Sequence, residues 1–338
     1  MSGDRYPKRL DIDAPGEVWV KQNSGEDFRQ TINAYFGERE IRVRKTAMTI
    51  DQTINLAITG GVIRGKGRLS LIQWAGAPNG FLFNMGNGAT DLTDIYVEGL
   101  RLDGLGVGNG FKYLGGQRQN LHRVMLTNMK QYALLFEGNA TVDVEDCTID
   151  LSTLSNSGEA GTSIEAAIRF QAYVYGCKIL RNTFVNNNRD IIINAVKEHL
   201  IKANNMWGTT AGNRIMLYGA NHNRIIANLI ADADYDGIRL ENSSRNVITG
   251  GNDIYGNDKS GTVSRGGIIL LGTSNHNTIV GNIVDGKDGG GTPRQKLGIA
   301  EQGSADYNVV VGNTVVDNID NNTVKIGANS DFSHNIIT

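Results

Sequence analysis

Three aspartates fall within five residues, Asp232, Asp234 and Asp236, with Tyr235 between the last two and Arg239 and Glu241 just downstream. Crowded carboxylates can push one pKa up and leave a neighbour ionised, the division of labour that glycoside hydrolysis needs. Asp234, Asp236 and Glu241 are therefore the candidate catalytic groups. Arg189, Arg239 and Arg265 offer paired donors for hydroxyls or carboxylates, while Trp207 and Tyr235 offer flat faces to pyranose rings. Together with Asp232 these five make the candidate substrate-binding set. Asp-x-Asp-Tyr-Asp-Gly is also an ordinary turn into a strand, and the register of Trp207 with Ala231 suits a ring packed against its neighbours. What the residues can do depends on the elements that hold them.

Those elements repeat. The pattern Asn223-Arg-Ile-Ile-Ala-Asn228 returns as Asn246-Val-Ile-Thr-Gly-Gly-Asn252, Asn277-Thr-Ile-Val-Gly-Asn282 and Asn308-Val-Val-Val-Gly-Asn313, and in part at Asn335-Ile-Ile-Thr338. Degenerate copies precede it at Cys177–Asn182 and His199–Asn204. Short β-type runs alternate with these copies, among them Phe81–Phe83, Phe111–Tyr113, Leu134–Phe136, Ile168–Phe170, Ile191–Ile193, Ile215–Leu217, Ile238–Leu240 and Ile268–Leu270. No single repeat can bury its apolar face, whereas stacked repeats share a continuous core. The chain therefore reads as an all-β, right-handed, single-stranded parallel β-helix of about ten coils. Residues 1–45 form a lead-in and cap with a short helix over Gly25–Tyr35, N-capped by Ser24, and residues 46–338 form the helix proper. Asn at each turn is expected to permit left-handed geometry and to bond along the stack.

Composition agrees. The 338 residues include 43 Gly and 36 Asn, 25 of the latter from residue 182 onward, but only four Pro. A net charge of −2 gives no electrostatic grip on nucleic acid or membrane, and no apolar run approaches the ~18 residues of a membrane span. The first residues carry no secretory apolar segment, so a chain acting extracellularly or on a virion is expected to leave the cell by another route. Cys147 is read in register with Asn182 and Cys177 with Asn223, which places them on different edges as buried, unpaired thiols. Five scattered histidines and two cysteines do not suggest a metal site. Glu301 aligns with the inward Leu240 and Leu270, so either a carboxylate is buried there or the strand is locally shifted. The shift is the expectation.

The repeats, in particular Asp236-Gly-Ile-Arg-Leu-Glu-Asn-Ser-Ser-Arg-Asn-Val-Ile, resemble the pectate-lyase-like superfamily of right-handed β-helices. The first third resembles the lead-in of phage tailspikes and related polysaccharide-degrading β-helices. That resemblance implies a polysaccharide partner and a homotrimer, or another partner covering the C-terminal end. Cleavage by hydrolysis leads. The alternatives are a uronic-acid lyase or epimerase and a non-enzymatic scaffold or adhesin. No cofactor is implied, except calcium under the lyase alternative. The carboxylate column of a pectate lyase, the Tyr-Gly-Phe-Asp-Pro-His run of a mannuronan epimerase and the Asn-Thr-Asp and Gly-His-Gly runs of a polygalacturonase are missing.

Coil length points to a place on the solenoid. The connections at 150–163, 255–265 and 285–296 are long, and those between 182 and 238 are minimal. Insertions in one register project from one side, so two walls are expected to flank a groove floored by residues 186–189, 207–213 and 232–236.

Overall fold

The computed structural model describes residues 17–20, 25–38, 40–43, 46–158, 165–208, 211–261 and 264–338. Three long parallel sheets wind into one right-handed β-helix. Sheet I has twelve strands from Glu17–Val20 to Val309–Val311, and sheet II has twelve from Thr46–Ile50 to Ile336–Ile337. Sheet III has eleven, from Ile54–Leu56 to Asn321–Val324. A three-stranded strip (Gly116–Gln117, Val144–Glu145, Val174–Tyr175) lies between sheets III and I. The Gly25–Tyr35 helix forms as expected, between the first two strands of sheet I, while Ser24 lies outside the described residues. Since Glu17–Val20 and Glu40–Val43 already pair in register, stacking begins inside the segment read as lead-in.

Alternation along each three- to six-residue strand decides what is buried. In sheet III, Phe83, Phe111, Leu134, Ile168, Ile191, Ile215, Ile238, Ile268 and Ile299 share one register column, all fully buried. Residues one place further along face outward. Sheet I repeats the pattern with Ile149, Ile179, Ile201, Ile225, Ile248 and Ile279.

Two asparagine ladders hold successive coils in step. Asn228 Oδ1 accepts from Asn204 N at 2.9 Å and Asn204 Nδ2 at 3.0 Å, and its own Nδ2 donates to Ile201 O and Asn252 Oδ1, both at 3.0 Å. The left-handed residue is not the asparagine but the one before it: Ala203 (φ 56°), Ala227 (φ 53°), His222 (φ 59°), Arg245 (φ 57°) and His276 (φ 59°). A non-glycine residue pays about 1–2 kcal/mol for that conformation. Each ladder asparagine makes several buried hydrogen bonds worth about 1 kcal/mol net apiece, enough to offset it.

Two register expectations are corrected. Cys147 and Cys177 both immediately precede paired sheet I residues (Thr148 and Lys178), so they are adjacent rungs of one ladder, Gln119–Cys147–Cys177–His199–Asn223, rather than members of two. Glu301 stays in register with Leu270 and is buried. Its carboxylate survives burial because four donors reach it: Asn308 Nδ2 (2.8 Å), Ser330 Oγ (2.5 Å), Ile326 N (3.0 Å) and Gly327 N (2.9 Å).

His199 is the interior histidine. Its ring continues the aromatic stack Tyr113–Phe136–Phe170–His199, with centroid separations of 4.0, 4.6 and 4.4 Å. Neither ring nitrogen makes a well-formed hydrogen bond, and burial, opposed only by the nearby Cys177 backbone, pushes the pKa down to about 3. The folded state thus refuses a proton that the unfolded chain accepts near pH 6.5, so His199 withdraws stability as pH falls from about 6.5 toward about 3. Urea midpoints measured across that window should fall for the native sequence and flatten in His199→Phe, which keeps the ring stack. An unchanged slope would refute this role.

Candidate active site on the outer face of sheet III

The connections from sheet II to sheet III set the site's outline. They are short at 186–190, 208–214 and 232–237, and long at 156–165, 256–265 and 286–296. All six leave the same corner, and the first long connection starts at 156 rather than 150, because Thr153–Ser155 is a strand of sheet II. Residues 159–164, 209–210 and 262–263 lie outside the described residues. Ser264 lies over the outer face of sheet III, where its carbonyl accepts from Gln302 Nε2 at 2.9 Å.

Asp236 sits at this corner with no exposed side-chain surface. Asn213 Oδ1 in the preceding coil fixes its backbone N–H at 2.9 Å. Its Oδ1 accepts from Gly266 N (2.9 Å), and its Oδ2 accepts from Arg265 Nη1 (3.1 Å) and Arg239 Nη1 (3.3 Å). Burial pushes its carboxyl up, against the pull of Arg265, the Gly266 N–H and Arg239. A carboxylate this enclosed offers a glycan no oxygen. It holds two guanidiniums in place instead.

Those guanidiniums face outward. Arg239 also donates to Glu241 Oε2 through Nε (3.1 Å) and Nη2 (3.0 Å). Arg265 lies over the Tyr235 ring, 4.6 Å from its centroid. Arg189, mostly buried, is pushed down by burial and by neighbouring Arg265, and held up by Tyr235 and Glu165. Its side chain passes where a Cβ at Gly212 would sit, 2.6 Å from Arg189 Cγ, so glycine is required in the coil that follows. The strip continues into earlier coils. Arg169 Nη1 donates to Tyr132 Oη at 3.2 Å, and Gln131 Nε2 donates to Glu165 Oε1 at 3.0 Å. Arg169 and Arg239 are outward residues of one sheet III column, separated by Ile192 and Met216.

Beneath the strip lies a sealed ion pair. Arg214 donates to Asp190 Oδ2 (3.0 Å) and, through Nε (2.8 Å), to Ala231 O, while Asp190 Oδ1 accepts from Asn187 Nδ2 (2.9 Å). Burial pushes Asp190 up and Arg214 down, each opposed by its partner's charge. Three coils are pinned under the corner by this unit.

The remaining residues of the acidic cluster point elsewhere. Asp232 adopts φ 61° and lies 3.8 Å from Lys259 Nζ. Asp234 is half-buried, and its carboxyl is pushed up by burial, opposed by Lys259 and Arg214. The upward shifts of Asp234 and Asp236 therefore come from burial, not from mutual repulsion among the three carboxylates. Trp207 ends a strand of sheet II, across the corner from the arginine strip, and is 44 % exposed rather than packed away. The structure brings Arg189, Tyr235, Asp236, Arg239, Glu241 and Arg265 together. It adds Gln131, Tyr132, Glu165, Arg169, Asp190 and Arg214, which sequence reasoning missed. The central residues of Ile168-Arg-Phe170 and Ile238-Arg-Leu240 share the outward register, and that was the available signal for Arg169.

The fold is that of a right-handed parallel β-helix. The family profile described as periplasmic copper-binding protein (NosD) matches residues 103–289, more than half of the chain, and the chain belongs to that family. A search of curated proteins returns no match. Among solved structures, the A-module of the Azotobacter vinelandii mannuronan C-5 epimerase AlgE6 aligns at 15 % identity and a TM-score of 0.72, covering 94 % of this chain and 96 % of that one. The Dettilon tailspike protein aligns at 13 % and 0.65, covering 96 % and 68 %. DFA-IIIase from Arthrobacter chlorophenolicus aligns at 15 % and 0.62, covering 92 % and 84 %. At these identities the likeness is one of fold.

The family's description names copper, and the residues do not fit it. Among the described residues no three His, Cys, Asp or Glu side chains gather as a metal-holding group. Both thiols, Cys147 and Cys177, and the His199 imidazole are fully buried in the interior. Nor does any helix among the described residues have the length and apolarity to cross a membrane.

Removing the central anchor tests the geometry. Asp236→Ala leaves two partly buried guanidiniums without their shared carboxylate and the buried Gly266 N–H without its acceptor, a loss of about 3–5 kcal/mol. Asp236→Asn keeps an acceptor for Gly266 and should fall between the two in thermal melts. Equal melting of all three would contradict an anchoring Asp236.

Proposed function

We propose that this protein recognises a polysaccharide along the outer face of sheet III and the corner before it, with Arg239 and Arg265 as outer donors, the more deeply set Arg169 and Arg189 behind them, and Tyr235 as a ring platform. The observation carrying this reading is the strip itself: guanidiniums and aromatic rings from several coils gathered along sheet III and its corner, with Arg239 and Arg265 held by the buried Asp236. Its length across the coils suits an extended chain better than a single sugar. Support of a weaker kind comes from the relatives, whose descriptions include a mannuronan epimerase and a tailspike. Work outside the cytoplasm agrees with the word periplasmic in the family's description.

Asp236 acts in this reading as a positioning residue. Affinity electrophoresis in gels cast with purified bacterial capsular and exopolysaccharides tests it. At least one polymer should retard the protein, and Arg239→Ala should weaken retardation about 10- to 100-fold, the loss expected for hydrogen bonds to a charged group. Lys202→Ala on sheet I should leave it unchanged. Retardation indifferent to Arg239, or equally sensitive to Lys202, would overturn the assignment.

A second reading, hydrolysis of the bound chain, is favoured by one observation. Burial pushes the Asp234 carboxyl up, the condition for a general acid. The expected outcome is new reducing ends without unsaturated product, abolished by Asp234→Asn while retardation persists. Unsaturated ends would point to the lyase alternative.

A further inference from the structure

The thiols of Cys147 and Cys177 occupy a break in an otherwise continuous ladder. From Asn223 to Asn308 that ladder is stitched amide to amide: Asn223 Nδ2 donates to Asn246 Oδ1 (3.0 Å), Asn246 to Asn277 (3.1 Å) and Asn277 to Asn308 (3.1 Å). Its upper end is His199, whose backbone N–H reaches Asn223 Oδ1 at 3.0 Å. Above it the rungs are Cys177 and Cys147, whose thiols cannot continue an amide chain, and Gln119, whose amide donates to Gly115 O at 2.8 Å instead. On this edge the coils lack amide stitching, while the other ladder continues through Asn182, whose Oδ1 accepts from Ser152 N at 2.9 Å.

Two cysteines on adjacent rungs can supply a different stitch. Their strands are parallel and in register, Thr148 against Lys178, and Lys178 N donates to Cys147 O at 2.8 Å. Neighbouring strands lie about 4.8 Å apart, within the ~4.4–6.8 Å range of Cα separations that a disulfide spans. Both side chains point into the core and both are fully buried, Cys147 Sγ donating to Glu145 O and Cys177 Sγ to Tyr175 O, each at 3.5 Å. Both are free in this structure.

We propose that Cys147 and Cys177 are an oxidation site that forms an intercoil disulfide, closed by a disulfide-bearing oxidant before the coils seal. In the exchange the Cys147 thiolate attacks one sulfur of the oxidant's disulfide, which breaks and releases a thiol. The Cys177 thiolate then displaces the second thiol as the Cys147–Cys177 bond forms. Two electrons pass to the oxidant, and the protons of both cysteines end on the released thiols. Burial disfavours the thiolate in the finished fold, so the reaction belongs to the unfolded or partly wound chain. Once wound, the bond is sealed from reductant.

The full-length chain, denatured and reduced, is refolded in parallel with oxidised glutathione or with dithiothreitol, then alkylated in guanidinium and analysed by mass spectrometry. The oxidised sample should remain monomeric and take up no alkyl group, its digest should contain one peptide pair joined through Cys147 and Cys177, and the reduced sample should take up two. Constraining a loop of about 30 residues should raise the melting temperature of the oxidised form by about 5 °C. Cys147→Ser refolded the same way should show no such rise. Two alkylated thiols after oxidative refolding, a disulfide between chains, or a cross-linked form that melts no higher than the reduced one would overturn the proposal.

Discussion

The constraint on which this molecule depends is the registration of one coil upon the next. Strand pairing alone fixes spacing but not phase, because a parallel ladder can slip and expose every inward side chain. Here the phase is locked at the corners, where an asparagine buried in each of several successive coils accepts from the coil before it and donates to the coil after it. The left-handed residue ahead of each asparagine turns the chain so that the amide points inward. Local strain is thereby exchanged for a buried, fully bonded side chain.

Registration also creates the candidate site. Arg169 and Arg239 are distant in sequence and meet on one face because the coils between them match in phase. The arginines are then fixed individually: Arg239 and Arg265 by the enclosed Asp236, Arg169 by Tyr132, with the Arg214–Asp190 pair under the corner. Buried acids of this kind contribute little net stability. Their effect is on direction, since guanidiniums held outward lose less entropy when a ligand arrives.

The solenoid was legible because its signal is periodic: ladder asparagines and three-residue apolar runs recur at coil length, and each run found in the second half lies in sheet III. Registration across degenerate copies was harder to read. Cys147 precedes a sheet I strand as Cys177 does, yet with neither rung an asparagine the ladder could not be followed by residue type. Glu301 was taken for a slip because an unpaired carboxylate cannot be buried, and its four donors come partly from residues 326–330, which no local pattern connects to it. The acidic cluster lies in the 232–237 turn between two strands, and the turn, which has no strand period, sends Asp234 and Asp236 to different surroundings. That separation depends on the neighbouring coils, with Gly266 and Arg265 on one side and Lys259 on the other.

The most direct test of a polysaccharide site spanning the coils is hydrogen–deuterium exchange with and without a polymer that retards the protein. The account predicts slower exchange together in four stretches far apart in sequence: around Gln131–Tyr132, Glu165–Arg169, Arg189 and Tyr235–Glu241, with sheet I unchanged. Protection confined to a single stretch, or centred on the outer face of sheet I, would contradict it.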